Sequence, residues 1–333
     1  MIFHPSILAL YVASILISFM VLYSASYGLQ ILRKWDIQSG SEEQLILERK
    51  TYLISTLLTY VFGFELLSLF LFIFTVDRLH TFFVGAMCAA GTLYVNGFGY
   101  PTLILKMINF LLAGLWLILN YADNRGYDYP LIRTKYLLLL NLAPLILIEM
   151  ALQANYFLRL DPYIITSCCG SLFSIKEGGL TSEIVALPSI PMKIVFYLAM
   201  ALTVSSGVYF YLKNRGAYLF SSLSSLTFLI SLASILSFIS IYFYELPTHH
   251  CPFCILQKEY GYIGYPLYMA LFGGTISGMG VGVLMPFRTI KSLSEVLPSI
   301  QRRLTIASLI LFILFTAVVT YGMVFSGLIL EGY

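Results

Sequence analysis

The chain has 333 residues, of which 59% are hydrophobic and 11% charged, with a formal charge of +3. Soluble domains carry about 25% charged residues, so this chain, with a mean hydropathy of +0.88, has too few to cover an aqueous surface. That excludes a cytosolic enzyme, a nucleic-acid binder and a disordered chain, and makes lipid the main solvent.

A spanning helix needs about 20 mostly apolar residues. The hydropathy pattern predicts nine, over about 6–32, 52–76, 81–98, 102–122, 135–156, 193–212, 217–244, 262–286 and 305–330. No short alternating segments suggest a β-barrel. The expected fold is therefore an all-α, polytopic integral membrane protein, a single membrane domain over 1–333. The first span is too long for a signal peptide and lacks its basic leader, although Ser24-Ala25-Ser26 resembles a cleavage motif. In the polar stretch 36–50, Ser41 before Glu42 and Glu43 reads as a helix N-cap that extends the second span. The third segment is short and contains Gly85 and Gly91; if it is re-entrant, eight spans remain. Asn96-Gly-Phe-Gly-Tyr-Pro101 forms a tight turn after it. Gly274, Gly278 and Gly282, four apart, make a small-residue stripe for close helix packing, within the chain or in a dimer.

Lys and Arg in short loops set orientation. With nine spans and a cytoplasmic N-terminus, ten fall inside and eight outside, while beyond residue 122 the inner loops lead nine to four. Two long connections, 157–192 and 245–261, are then external, on the periplasmic side of a prokaryotic inner membrane.

Cys88, alone in an apolar run, reads as a small hydrophobe. The other four cysteines lie in the two external loops: Cys168-Cys169, and Cys251-Pro-Phe-Cys254 directly after His249 and His250. A C-x-x-C at a helix start holds its first thiol near the positive end of the dipole, which favours thiolate and redox chemistry. Either histidine could stabilise a thiolate or carry a proton. Adjacent Cα atoms sit about 3.8 Å apart, below the usual disulfide range, so Cys168 and Cys169 do not easily bridge each other. Three chemistries remain open. One is a dithiol–disulfide relay between the two pairs. Another is a soft-metal site for zinc or Cu(I) on Cys168, Cys169, Cys251, Cys254 and His250. The third is a set of structural disulfides.

The stretch Cys251-Pro-Phe-Cys254-Ile-Leu-Gln257-Lys258, leading to Tyr265-Pro266, resembles the DsbB-type membrane thiol oxidoreductases over some 16 residues. The chain order, a loop cysteine pair before a membrane C-x-x-C, also resembles the vitamin K epoxide reductase family. The resemblance implies that Cys251 and Cys254 face a membrane quinone. Gln257 and Lys258 would then stand at the polar and basic quinone-site positions. Cys168 and Cys169 would shuttle electrons to an external thiol protein. Tyr262, with Tyr260, Tyr265 and Tyr268, then lines the quinone pocket, or else belongs to an interfacial aromatic belt.

Ionisable residues inside spans are costly and point to function. Three lie there: Glu65, Lys106 and Glu149. Lys106 and Glu149 sit at matching depths on consecutive spans, roughly 6 and 10 Å from the outer end at 1.5 Å per residue, which predicts an ion pair. Glu65 either relays a proton or stays protonated against a neighbour. The leading expectation is quinone-linked thiol–disulfide electron transfer. The alternatives are soft-metal binding or transport by the same residues, and a structural subunit of a larger complex or oligomer.

Overall fold

A computed structural model describes residues 4–37, 39–166 and 189–328. Cys168 and Cys169 lie outside the described residues. The chain is an all-α polytopic membrane protein, with no strand among the described residues. Among the described residues, eight helices are long and apolar enough to cross a membrane. In chain order the α-helices are α1 (Pro5–Lys34), α2 (Glu42–Arg78), the short α3 (Ala89–Leu93), α4 (Gly99–Asp123) and α5 (Ile132–Leu158). These are followed by α6 (Ser189–Lys213), α7 (Ala217–Ser234), α8 (Ser240–Tyr244), α9 (Gly264–Val283) and α10 (Val296–Val324). A π-helical turn, Ile235–Ile239, joins α7 to α8 within one continuous span.

The segment expected as a third span does not cross. The polar residues Asp77 and Arg78 end α2, and a 3-10 turn, Leu79–Phe82, which holds His80, follows. The chain then reverses at Gly85, whose φ is +91°, before α3 begins at Ala89. A Cβ on Gly85 would lie 2.1 Å from the Thr166 carbonyl oxygen, so both the backbone angle and the space demand glycine there. Hydropathy alone does not separate this folded-back segment from a short span, because both are apolar. Ser41 does cap α2, accepting the Gln44 N–H at 3.4 Å.

The described residues form two compact units. The first comprises Met1–Thr75, Asn96–Leu160 and Pro286–Ile300. In it α5 packs against α1 and α4, and Trp116 meets Phe62 edge-on at 4.9 Å in the core. Two ion pairs are buried in this unit. Lys106 Nζ lies 2.5 Å from Glu149 Oε1, the pair expected from matching depth. The second pair is unforeseen: Lys135 Nζ lies 2.5 Å from Asp123, both fully buried. Lys135, one of the inner-loop charges counted at the edge of the predicted 135–156 span, falls in the first turn of α5. Its ammonium also donates to Ser55 Oγ at 3.1 Å and Asn120 Oδ1 at 3.2 Å. Asp123 Oδ1 in turn accepts the Leu131 N–H at 2.8 Å, closing the connection between α4 and α5.

The second unit comprises Val76–Val95, Asp161–Met285 and Gln301–Tyr333. Here α7 packs against α6 and α9. The glycine stripe on α9 works as packing within the chain. A Cβ at Gly278 would lie 2.2 Å from Ser224 Oγ, and one at Gly282 would lie 2.5 Å from Ser221 Cβ. At Gly274 the stripe meets α10, where Leu311 and Phe312 pack against it and Ser308 Oγ donates to the Gly274 carbonyl at 2.7 Å. On the outer faces, large apolar residues such as Phe19, Leu67, Leu229 and Ile310 are exposed, as side chains that meet acyl chains should be.

Candidate metal centre

Two segments of the second unit bring sulfur together. One is the folded-back piece after α2, which places Cys88 in extended backbone as the residue before α3. The other is the loop from α8 to α9, which carries Cys251 and Cys254. The three thiol sulfurs lie within 4.8 Å of one another. Cys88 and Cys251 are fully buried and Cys254 is 5% exposed. Cys88 Sγ and Cys251 Sγ are 3.4 Å apart, in hydrogen-bonding contact and well beyond a disulfide bond. His249 Nε2 sits 3.3 Å from Cys254 Sγ, a nitrogen at the edge of the three-sulfur group.

Cys88 is the residue that sequence reading missed. It reads as an inert hydrophobe only if 81–98 crosses the membrane. Once the segment folds back, its thiol meets the C-x-x-C. The usable signals were Gly85 and Gly91 in a segment already too short, and the polar residues that end α2.

The C-x-x-C does not open a long helix as expected. Cys254 starts a three-residue 3-10 turn, and α9 begins only at Gly264. Gly261 and Tyr262 intervene with φ of +62° and +56°, which interrupts any helix between them. No dipole of a long helix therefore acts on Cys251. Hydrogen bonds position the loop instead. Tyr244 O–H donates to the Cys251 carbonyl at 2.5 Å, and its oxygen accepts the Ile255 N–H at 2.8 Å. Tyr268 O–H donates to the Pro252 carbonyl at 2.6 Å. The Tyr244 ring also packs edge-on against the His249 ring, with centroids 4.7 Å apart.

The two histidines separate in role. His250 bonds through Nδ1 to the Leu236 carbonyl at 2.9 Å, inside the π-helical turn. That ties the loop to the span, whereas His249 faces the sulfurs. Of the residues expected to line a quinone site, Gln257 is a tie between the two sulfur-bearing segments. Its Nε2 donates to Asp77 Oδ1 at 3.1 Å and to the Met87 carbonyl at 2.9 Å. The same Asp77 oxygen accepts the Ala89 N–H at 3.2 Å, beside Cys88. Lys258 is exposed, and the exposed Tyr262 hydroxyl accepts from Arg78 at 3.5 Å. Thr166 joins the assembly from a third segment: its N–H donates to the Val84 carbonyl and its hydroxyl to the Gly91 carbonyl.

In a tetrahedral zinc site with Zn–S near 2.3 Å, neighbouring sulfurs lie about 3.8 Å apart. The three sulfurs, with one contact of 3.4 Å and all within 4.8 Å of one another, need shifts of about 1 Å or less to reach that spacing, while His249 reaches Cys254 from outside that group. Three thiolates and one imidazole are a donor set for zinc, and thiolates also suit Cu(I). No protein-family model matches the chain, and no curated protein or solved structure matches it either.

Proposed function

We propose that this is a membrane protein that binds a soft d10 cation, zinc or Cu(I), at Cys88, Cys251, Cys254 and His249. The observation that carries the reading is the convergence of three buried sulfurs from segments 163 residues apart. Burying three thiols together against an imidazole serves packing poorly but suits tetrahedral ligation. The bound cation would neutralise the thiolates and link the two segments, so metal affinity and local stability rise together. Metal analysis of the purified protein tests this. Near one zinc or copper per chain is expected, with loss in Cys88→Ser and a weaker site in His249→Ala. Chains without metal after reconstitution with either ion under reducing conditions would overturn it.

The eight-span count supports an external site. The connections at 35–41, 124–131, 214–216 and 290–295 alternate with those at 83–98, 159–188 and 245–263. Thirteen of the nineteen Lys and Arg lie in or within nine residues of the first set, and six do so for the second. The positive-inside rule then favours an outer side for Cys88, Cys251 and Cys254. In a prokaryotic cytoplasmic membrane that is the periplasmic face.

A second reading rests on the 3.4 Å approach of Cys88 to Cys251. Those two thiols could close a disulfide by passing two electrons and two protons to a membrane quinone, giving the quinol. It requires a quinone-dependent loss of two hydrogens from the chain, which mass spectrometry of the Cys88–Cys251 peptide pair reads directly.

A further inference from the structure

The first unit carries a cleft of about 330 Å³, beside the end of α1 and the start of α5, that the metal site does not use. Trp35, Asp36, Asp128, Tyr129 and Arg133 line it. Two ties hold its walls. Arg133 Nη2 donates to the Trp35 carbonyl at 3.2 Å, joining the first turn of α5 to the end of α1. The Asp36 N–H donates to Gln44 Oε1 at 3.2 Å, which anchors the connection to α2. The Trp35 and Tyr129 rings meet edge-on, with centroids 6.4 Å apart.

Two features of the lining call for a ligand. Asp128 Oδ1 is buried and has no hydrogen-bond partner, and a buried acceptor without a donor is costly. Arg133 has five N–H donors, and no ion pair joins it to Asp128 among the described residues. One cleft thus holds a carboxylate and a guanidinium that do not pair with each other. That suits a ligand carrying both charges: a cation with N–H donors for Asp128, and an anion for Arg133. Guanidinium groups match phosphate oxygens in particular, and the two aromatic rings add attraction for an ammonium. Position narrows the ligand further. The cleft lies at the ends of two spans, where Trp and Tyr mark the level of the lipid headgroups. We propose that it binds the headgroup of phosphatidylethanolamine, with the primary ammonium on Asp128 and Asp36 and the phosphate on Arg133. A choline headgroup has no N–H and would leave Asp128 Oδ1 without a donor. A glycerol headgroup brings no cation. Binding here does not depend on a cation at the sulfurs.

Native mass spectrometry of the full-length protein tests this. The protein is released from nanodiscs that hold equal amounts of phosphatidylethanolamine, phosphatidylcholine and phosphatidylglycerol with the same acyl chains. The wild-type chain should retain one phosphatidylethanolamine, favoured over phosphatidylcholine by about tenfold or more, the worth of a hydrogen bond to a charged group. Asp128→Ala should remove that preference while keeping the wild-type metal content. Arg133→Gln should lower retention of phosphatidylethanolamine without raising that of phosphatidylcholine. Equal retention of the ethanolamine and choline lipids by the wild-type protein would overturn the proposal, whether or not the variants fold. Preference for phosphatidylcholine would overturn it in favour of an aromatic choline site. An unchanged ethanolamine preference in Asp128→Ala would place the lipid elsewhere, with the same consequence. Glycerophosphoethanolamine, the same headgroup without acyl chains, should leave the bound lipid in place at equimolar concentration; displacement would overturn the lipid as occupant in favour of a water-soluble one.

Discussion

Cys88 shows how one residue's meaning depends on its neighbours' path. In an apolar helix it is a small hydrophobe; at the end of a folded-back segment it is one of three converging sulfurs. The same dependence hides Lys135, which looks like loop charge in the sequence but pairs with Asp123 in full burial. Lys106 and Glu149 were legible because depth along consecutive spans is simple arithmetic. These buried pairs give direct predictions. Removing one partner of a buried pair costs about 3–5 kcal/mol, because a lone charge remains. Lys135→Met should therefore destabilise by about that much, and Asp123→Asn in the same chain should restore most of it. Thermal unfolding of the single and double variants in detergent checks this; equal loss in single and double variants would show that the pair is not coupled.

At the scale of elements, the sulfur site depends on ties that are not ligands. Asp77, in the last turn of α2, accepts from both the Cys88 segment and Gln257 of the other loop. Its sequence context, an acid beside Arg78 at a helix end, suggests only a membrane boundary. Outer groups that orient ligands typically change metal affinity 10–100-fold when lost. Asp77→Ala should weaken metal binding by about that factor, and Asp77→Asn should recover part of it, since the amide oxygen still accepts. Competition with a chelator of known affinity measures both. An unchanged affinity in Asp77→Ala would mean the loops hold their positions without it. The glycine stripe of α9 was legible as packing, and the structure adds what each position meets. Gly278→Ala puts a methyl 2.2 Å from Ser224 Oγ and should cost about 1–3 kcal/mol by overpacking. Paired with Ser224→Gly, most of that loss should return in the same melting assay.

At the scale of the whole molecule, eight spans and the all-α class follow from hydropathy, because a lipid-exposed helix must be apolar over its full length. The ninth expected span fails for the same reason: a segment buried in protein is also apolar. Counting it as a span scrambles the charge bias, whereas leaving it out puts thirteen of nineteen basic residues on one side. A cysteine introduced at Tyr127, in a connection of the proposed basic side, should react with an impermeant maleimide only after the cytoplasmic face is opened. One at Glu259, on the cysteine side, should react in intact cells. The reverse pattern would invert the protein and put its thiols in a reducing compartment.

The proposed centre is a cation held by three sulfurs and one imidazole. X-ray absorption at the metal edge of the purified, metal-loaded protein measures that shell directly. Three sulfurs at about 2.3 Å and one nitrogen at about 2.0–2.1 Å are expected for zinc, with the nitrogen replaced in His249→Ala. A shell of oxygens and nitrogens without sulfur would contradict it.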